Sequence, residues 1–331
     1  MGFLRKHLFS FLIIGGALVA YFFPGPFTEL WGFRCARLIV PLIQVIMFGM
    51  GTRLRPTDFI VALRHPWPVF VGCILQFSVM PALGYLLARM AGLEGDVAAG
   101  VILIGSAAGG VASNVIAYIA GANVALSIAM TTVSTLLSPL ATPLLMRLLA
   151  GRFITVDVVG MMLSLVNMIV VPIFLSQLAR FCFDKWCRKA EETISRILPG
   201  LSMSAICVIV TVCVAAAREE LASAGAVIFV VAVVHNACGY VLGYWGTRLL
   251  SLVAPISERD CRTVAIEVGM QNAGMCQALA MDVLKSASAA LAPTIFGVWM
   301  DFSGSLLANW WNRRREFVMD STPALSYEKG K

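Results

Sequence analysis

The sequence predicts an all-α polytopic membrane protein with ten transmembrane helices, arranged as two inverted five-helix repeats. Three observations carry that expectation. The chain is 59% hydrophobic and only 13% charged, against about 45–50% and about 25% in soluble domains. Its apolar runs reach spanning length and are cut at charges, prolines and glycines. Two of these runs are themselves broken by glycines and lie about half a chain apart, the arrangement that marks the binding site of a secondary transporter.

The runs fall near 8–23, 35–51, 66–88, 97–119, 123–149, 154–180, 199–217, 223–250, 261–284 and 290–309. The first follows Arg5-Lys6-His7 as a signal peptide would. Phe22-Phe23-Pro24 offers no small-residue cleavage site, so the run is expected to stay as a span. The third carries Gln76 and the eighth His235. The fourth is interrupted at Gly105-Ser106-Ala107-Ala108-Gly109-Gly110, and the fifth bears a hydroxyl stripe from Ser127 to Ser138. The ninth is interrupted around Gly269-Met270-Gln271-Asn272. After the sixth comes a basic connector, Phe181–Leu198, with Phe183, Trp186, Ala190, Ile194 and Ile197 at helical spacing. That pattern suits an amphipathic helix on the cytoplasmic interface. The tenth ends at Trp310-Trp311 and Arg313-Arg314-Arg315, an interfacial anchor, and the tail beyond Phe317 is polar. The expected division is 1–180 for the first repeat plus the sixth span, 181–198 for the connector, 199–312 for spans seven to ten, and 313–331 for a cytoplasmic tail.

Charge sets the orientation. With both termini inside, 18 of the 25 Lys and Arg residues fall on the cytoplasmic side and 7 outside, as the positive-inside rule requires. The net charge of +7 therefore reflects loops between spans rather than a nucleic-acid surface. Nine cysteines lie mostly within spans, with no CxxC pair, and read as free thiols. A repeat is visible too. Leu83-Gly84-Tyr85 with Arg89 matches Leu242-Gly243-Tyr244 with Arg248, a shift of 159 residues. The same shift takes Gln76 to His235 and Gly110 to Gly269. Five spans per half is an odd number, so the halves have opposite topology.

Glu267 is the costliest residue in the chain. An acid at mid-bilayer costs about 2.5–3.5 kcal/mol on insertion scales and usually marks an ion or substrate path. A small hard cation wants oxygen ligands. Glu267 supplies charge, and Gln271 follows it by one helical turn. Ser113 and Asn114 follow the Gly109-Gly110 break. Ser127 and Thr131 share one face of the fifth span. Ser134 and Ser138 read better as packing hydroxyls bonded to their own helix. Gln76 stands open between glue and ligand, and His235 reads as helix–helix glue.

These residues carry a resemblance. Glu267-Val268-Gly269-Met270-Gln271-Asn272 resembles the EVGMQN signature of the bile acid:sodium symporter family, and Gly109-Gly110-Val111-Ala112-Ser113-Asn114 its GGxASN signature. Phe48-Gly49-Met50-Gly51 with Leu54 and Asp58-Phe59, His235-Asn236 with Gly239, and Ser303-Gly304-Ser305-Leu306-Leu307 match further stretches. The resemblance implies a panel domain (spans 1, 2, 6, 7) and a core domain (spans 3–5, 8–10) in which broken helices 4 and 9 cross. It implies two sodium sites. One uses Ser113, Asn114, Ser127, Thr131 and Glu267. The other uses Gln76, Gln271, Glu267 and the carbonyls of Val268 and Met270. Asn272, with Val111 and Gly110, would face the substrate at the crossing.

The resemblance thus implies a sodium-coupled symporter of an organic anion, such as a bile acid or a small carboxylate, in a bacterial inner membrane. Three departures stand out. Ser106-Ala107-Ala108 replaces the family's frequent Cys-Cys-Pro, Val111 its Thr, and Trp299-Met300-Asp301 its Trp-His-Asn. The first two touch the substrate crossing and weaken the carry-over of a bile acid. Asp301 is a second intramembrane acid, read as facing a wet cytoplasmic crevice. The alternative reading is a proton-coupled transporter or antiporter in which Glu267 and Asp301 titrate. A hydrolase is disfavoured: the chain has no GxSG or GxGD element, and no serine partners His235 in sequence.

The topology has a direct test. A cysteine placed near Glu94 should react with an impermeant thiol reagent from the periplasm, and one near Lys189 only from the cytoplasm. Labelling of both from one side would break the ten-span arrangement.

Overall fold

A chain in lipid must satisfy its backbone N–H and C=O groups internally, and this one does so with helices. The computed structural model describes residues 2–55, 60, 63–64, 66–186 and 188–320, with side chains at 2–11, 183–196, 199 and 314–320 outside that description. The helices are α1 (Gly2–Phe22), α2 (Ile39–Gly51), α3 (Pro66–Met90), α4 (Gly95–Gly105), α5 (Ala112–Ile119) and α6 (Val124–Ala150). There follow α7 (158–186), α8 (Arg188–Ala216), α9 (Arg218–Leu250), α10 (Glu258–Gly269), α11 (Ala273–Asp282) and α12 (Ala287–Asp320). Five of them, α3, α6, α7, α9 and α12, contain stretches long and apolar enough to cross a membrane. A two-residue antiparallel ribbon, Glu29–Leu30 with Phe33–Arg34, links α1 to α2.

Local chemistry explains the boundaries. Asn123 caps α6 by accepting from the Leu126 N–H, and Asp157 caps α7 by accepting from that of Gly160. Ser257 and Asp260 form a reciprocal capping box on α10. Prolines shape the long helices. Pro81 and Pro172 lack an N–H, and the turns just before them, Leu75–Val79 and Val166–Val170, widen into π-helix. Gln76 lies in the first of these turns.

Two departures concern the ends of elements. The connector is not a separate element: its backbone extends α7 to Trp186 and opens α8 at Arg188. Its amphipathic face rests on side chains outside the described ones. α12 runs to Asp320 rather than stopping at Phe317, and the rest of the tail lies outside the described residues, as does Asp58-Phe59. The repeat shift also differs at the breaks. α4 and α10 start at Gly95 and Glu258, 163 apart, and α5 and α11 start at Ala112 and Ala273, 161 apart. The link from α9 to α10 (251–257) is longer than that from α3 to α4 (91–94), so the 159-residue shift that aligns α3 with α9 does not align the breaks.

Packing separates two groups. α1, α2, α7 and α8 pack on one another, and α3–α6 pack with α9–α12. The seam between them is made by α6 against α7, by α11 against α2, α7 and α8, and by α12 against α8. Ile43 reaches Gly274 there, and Ser164 Oγ donates to Asp282 Oδ2 at 2.9 Å. The principal partners of α5 and α10 all belong to their own group. Outward faces carry exposed Phe70, Leu148, Val159, Phe174, Val230 and Leu249, as lipid contact requires.

Small residues allow the closest approaches. A Cβ on Gly100 of α4 would sit 2.3 Å from the Ala289 carbonyl oxygen of α12. Backbone cannot yield there as a flexible side chain would. Gly100→Val should therefore destabilise the fold by about 1–3 kcal/mol or more, read as a lower melting temperature in detergent. An unchanged melting temperature would show that α4 and α12 are not packed this closely.

Candidate functional site

Two unwound segments meet in the middle of the second helix group. Between α4 and α5 the chain is non-helical from Ser106 to Val111, and between α10 and α11 from Met270 to Asn272. Glycine frees the first, and the pair Gln271-Asn272 ends the second. The segments pair with each other as a short antiparallel bridge. The Gly110 N–H donates to the Met270 carbonyl, and that of Asn272 to the Ala108 carbonyl, both at 2.9 Å. A Cβ on Gly110 would lie 2.5 Å from the Gln271 carbonyl oxygen, so only glycine fits.

Side chains take up further carbonyls freed by the breaks. Gln76 Nε2 donates to Ala107 O at 2.7 Å and Thr142 Oγ1 to Ser106 O at 2.7 Å. Asn236 Nδ2 donates to Gly269 O at 2.8 Å, and Ser303 Oγ holds Asn236 Oδ1 at 2.6 Å. From sequence alone Asn236, Ser303 and Thr142 are not site candidates. Their signal was a polar side chain in an apolar helix, which many packing residues share.

Glu267, at the end of α10, is buried beside this bridge. Ser113 Oγ donates to its Oε1 at 2.5 Å, Ser127 Oγ donates to the same oxygen, and Thr131 Oγ1 donates to Oε2 at 2.8 Å. Each hydroxyl has a second acceptor in reach. Ser113 has Gly110 O at 2.6 Å, Ser127 has Asn114 Oδ1 at 2.9 Å, and Thr131 has Ser127 O at 3.0 Å. A hydroxyl carries one proton. Three protons thus face more oxygen acceptors than they can satisfy, in a place closed to water. Such a cluster favours a small hard cation, which bonds to lone pairs without needing protons.

The second expected set is brought together in part. Gln76 Nε2 donates to Gln271 Oε1 at 2.5 Å, and Gln271 Nε2 to Val268 O at 2.7 Å. The Met270 carbonyl is instead engaged by Gly110 in the bridge. Gln76 and Glu267 line one small cavity of about 10 Å³ with Gly72, Cys73, Gly109, Met130 and Ser134, about the room one water-sized body needs. Ser134 donates to Thr131 O of its own helix at 3.2 Å, as its packing reading expects, and it also accepts from the Gly109 N–H at 3.2 Å and lines this cavity. Ser138 donates to Thr135 O in its own helix. His235 sits away from the bridge, its Nε2 2.9 Å from Met80 O, as helix–helix glue.

At the crossing, Asn272 uses Oδ1 to cap α11 through the Met275 N–H. Its Nδ2 is buried without an acceptor among the described residues. Val111 precedes α5, half-buried, and its carbonyl accepts from Asn114. The N-termini of α5 and α11 thus open at the same point, where their dipoles favour negative charge.

Comparison with known proteins gives the chain a family. The model described as the Sodium Bile acid symporter family matches residues 40–224. An uncharacterized sodium-dependent transporter of Bacillus subtilis (strain 168), YocS, is 38% identical over 306 residues, covering 92% of this chain and 91% of that protein. The probable sodium/metabolite cotransporter BASS1 of Arabidopsis thaliana, chloroplastic, is 31% identical over 271 residues, 82% of this chain and 66% of the plant protein. BASS2 of Oryza sativa subsp. japonica, also named a probable chloroplastic sodium/metabolite cotransporter, is 34% identical over 308 residues, 93% and 70%. Family and relatives indicate a helical membrane protein that is a sodium-dependent transporter, and the relatives are named transporters or cotransporters, not enzymes. The chain belongs to the sodium bile acid symporter family.

The bridge makes a prediction about its supports. Asn236→Ala strands the Gly269 carbonyl in a dry site and should cost about 1–3 kcal/mol. Ser303→Ala removes the donor that orients Asn236 and a contact with the Tyr240 hydroxyl but leaves the Asn236 bond to the Gly269 carbonyl, and should cost less. Equal losses of melting temperature in the two variants would contradict the assigned roles.

Proposed function

We propose that this protein is a sodium-coupled symporter of an organic anion that works by alternating access. The observation that carries the reading is the acceptor-rich cluster of Ser113, Asn114, Ser127 and Thr131 around Glu267. The first sodium ion binds there. The second binds by the small cavity shared by Gln76 and Glu267, with Gln271 and the Val268 carbonyl beside it, and the Met270 carbonyl joins once it leaves Gly110. The anion sits at the crossing against Asn272, Val111 and Gly110, where two helix N-termini and an unpaired amide donor face it. Bile acids and small carboxylates both fit this chemistry.

On this reading the chain crosses a bacterial inner membrane ten times, as two inverted repeats with both termini in the cytoplasm. Residues 1–180 hold the first repeat and the sixth span, 181–198 the connector, 199–312 the remaining spans, and 313–331 the tail. α1, α2, α7 and α8 form the panel, and the remaining helices form the core. α11 then occupies the outer half of the membrane and α10 the inner half. The seam is packed on the outer side, through α11, and freer on the inner side, so the conformation is inward-facing. Sodium neutralises Glu267 and ties α5, α6 and α10 together, which favours the crossing that receives the anion.

Thermal shift of the purified protein tests the sodium sites, because a ligand that binds only the folded state raises its stability. Glu267→Gln should fold yet lose the sodium-dependent rise in melting temperature. Ser127→Ala and Thr131→Ala should each raise the sodium concentration needed by about tenfold, the equivalent of one charged hydrogen bond. Ser138→Ala should leave it unchanged. A normal sodium response in Glu267→Gln would remove the shared-ligand role. Uptake that ignores sodium at fixed pH would favour the proton-coupled alternative.

A further inference from the structure

The oxygen cluster around Glu267 draws two hydroxyls from α6 and its carboxylate from α10, and these two helices are fastened together at their starts. Asn123 caps α6, its Oδ1 accepting from the Leu126 N–H at 3.2 Å. Its Nδ2 donates to Asp260 Oδ1 at 2.8 Å. Asp260 belongs to the capping box of α10, where its Oδ2 accepts from the Ser257 N–H at 3.1 Å and from Ser257 Oγ at 2.7 Å. Each side chain thus spends one end on its own helix and the other end on the neighbouring helix. A second bond runs beside the first. The Asn123 N–H donates to Thr263 Oγ1 at 2.8 Å, and that hydroxyl donates in turn to Arg259 O at 2.8 Å. Arg259 reaches the other way, to the carbonyls of Gly121 and Ala122 at 3.2 and 3.3 Å. Asp260 and Thr263 are buried.

This clasp stands one to two turns from the cluster. Ser127 and Thr131 follow Asn123 by four and eight residues, and Glu267 follows Asp260 by seven. Asn123 meets Asp260, and Thr131 meets Glu267. The contacts advance in one direction along both chains, so α6 and α10 run parallel from the clasp. At 1.5 Å per residue it lies about 12 Å from Thr131 along α6 and about 10 Å from Glu267 along α10. Either cap is complete without the cross-bond: Asn123 Oδ1 serves α6 and Asp260 Oδ2 serves α10. The Asn123–Asp260 bond therefore adds nothing to either helix alone and fixes only one against the other. A cation site depends on such support, since ligands must stand at the distance the ion requires. Loss of a group that orients metal ligands typically weakens binding about 10–100-fold.

We propose that Asn123 and Asp260 are positioning residues for sodium. Their bond holds α6 against α10 in the register that lets Ser127 and Thr131 meet an ion beside Glu267. The proposal rests on the sodium reading above and extends it to residues that touch no ion.

Thermal shift of the purified full chain against sodium chloride, with choline chloride keeping ionic strength constant, separates positioning from stability. Asn123→Ser keeps a capping oxygen for α6 but is too short to reach Asp260. Ser257→Ala does the opposite, weakening the α10 cap and leaving the clasp. Both should lower the melting temperature without sodium. Only Asn123→Ser should raise the sodium concentration for half-maximal stabilisation, by about tenfold or more. Asn123→Asp sets two carboxylates face to face and should raise it further. Adding Asp260→Asn to Asn123→Asp exchanges donor and acceptor across the same gap, so the double variant should recover to within about threefold of wild type. A wild-type sodium requirement in Asn123→Ser, an equal shift in Ser257→Ala, or no recovery in the double variant would each overturn the proposal. If Asn123→Asp alone does not fold, Asn123→Ser against Ser257→Ala still decides it. Failure of the sodium reading shows differently, as a wild-type melting temperature that ignores sodium, and takes the role of the clasp with it.

Discussion

Two unwound segments hold each other in place inside the protein, and the rest of the site depends on that pairing. Opening a helix in the middle of a membrane strands backbone groups at several kcal/mol each. The Gly110 to Met270 and Asn272 to Ala108 bonds recover part of that cost. Gln76, Asn236 and Thr142 recover more. Each of these side chains is thereby committed to a backbone group, which fixes where α3, α6 and α9 sit around the bridge.

The pairing also explains why the polar residues are so concentrated. Ser113 reaches both the Gly110 carbonyl and the Glu267 carboxylate. It belongs at once to the bridge and to the acceptor-rich cluster. On the proposed reading, an ion taken up beside Glu267 competes for the same lone pairs that position the bridge, so ion and substrate sites are linked by shared atoms. Linkage of that kind is reciprocal: whatever the ion contributes to the crossing, a ligand at the crossing returns to the ion.

Glycine and proline do the steric work. Gly110 lets the two segments close, Gly297 and Gly304 let α12 lie along them, and Gly100 seats α4 on α12. Pro81 follows a π-turn that contains Gln76, and such turns re-aim side chains and recur at functional sites. The seam between the helix groups uses a different chemistry, with apolar contacts such as Ile43 on Gly274 and a part-buried hydrogen bond, Ser164 to Asp282. A seam of that composition can part without leaving many buried polar groups unmet.

Hydropathy alone determined that the chain is helical and membrane-embedded, because bilayer thickness dictates the length of an apolar run. Glycine clusters located both interruptions, since backbone that leaves a helix needs residues without a Cβ. The cost of a carboxylate in lipid singled out Glu267. The family resemblance implied Ser113, Ser127 and Thr131 beside it, and the folded chain places their hydroxyls on its two oxygens. Tertiary structure alone decided the rest. Asn236 and Ser303 look like ordinary packing residues until the carbonyl they serve is seen. Ser134 bonds its own helix at Thr131 O, as a packing hydroxyl does, but its second partner, the Gly109 N–H, is 25 residues away in sequence. The Met270 carbonyl is bonded to Gly110 rather than free, and the connector extends two helices instead of lying apart. Sequence records which residues are costly in a membrane; which partner relieves each cost is settled by contacts between segments far apart in the chain.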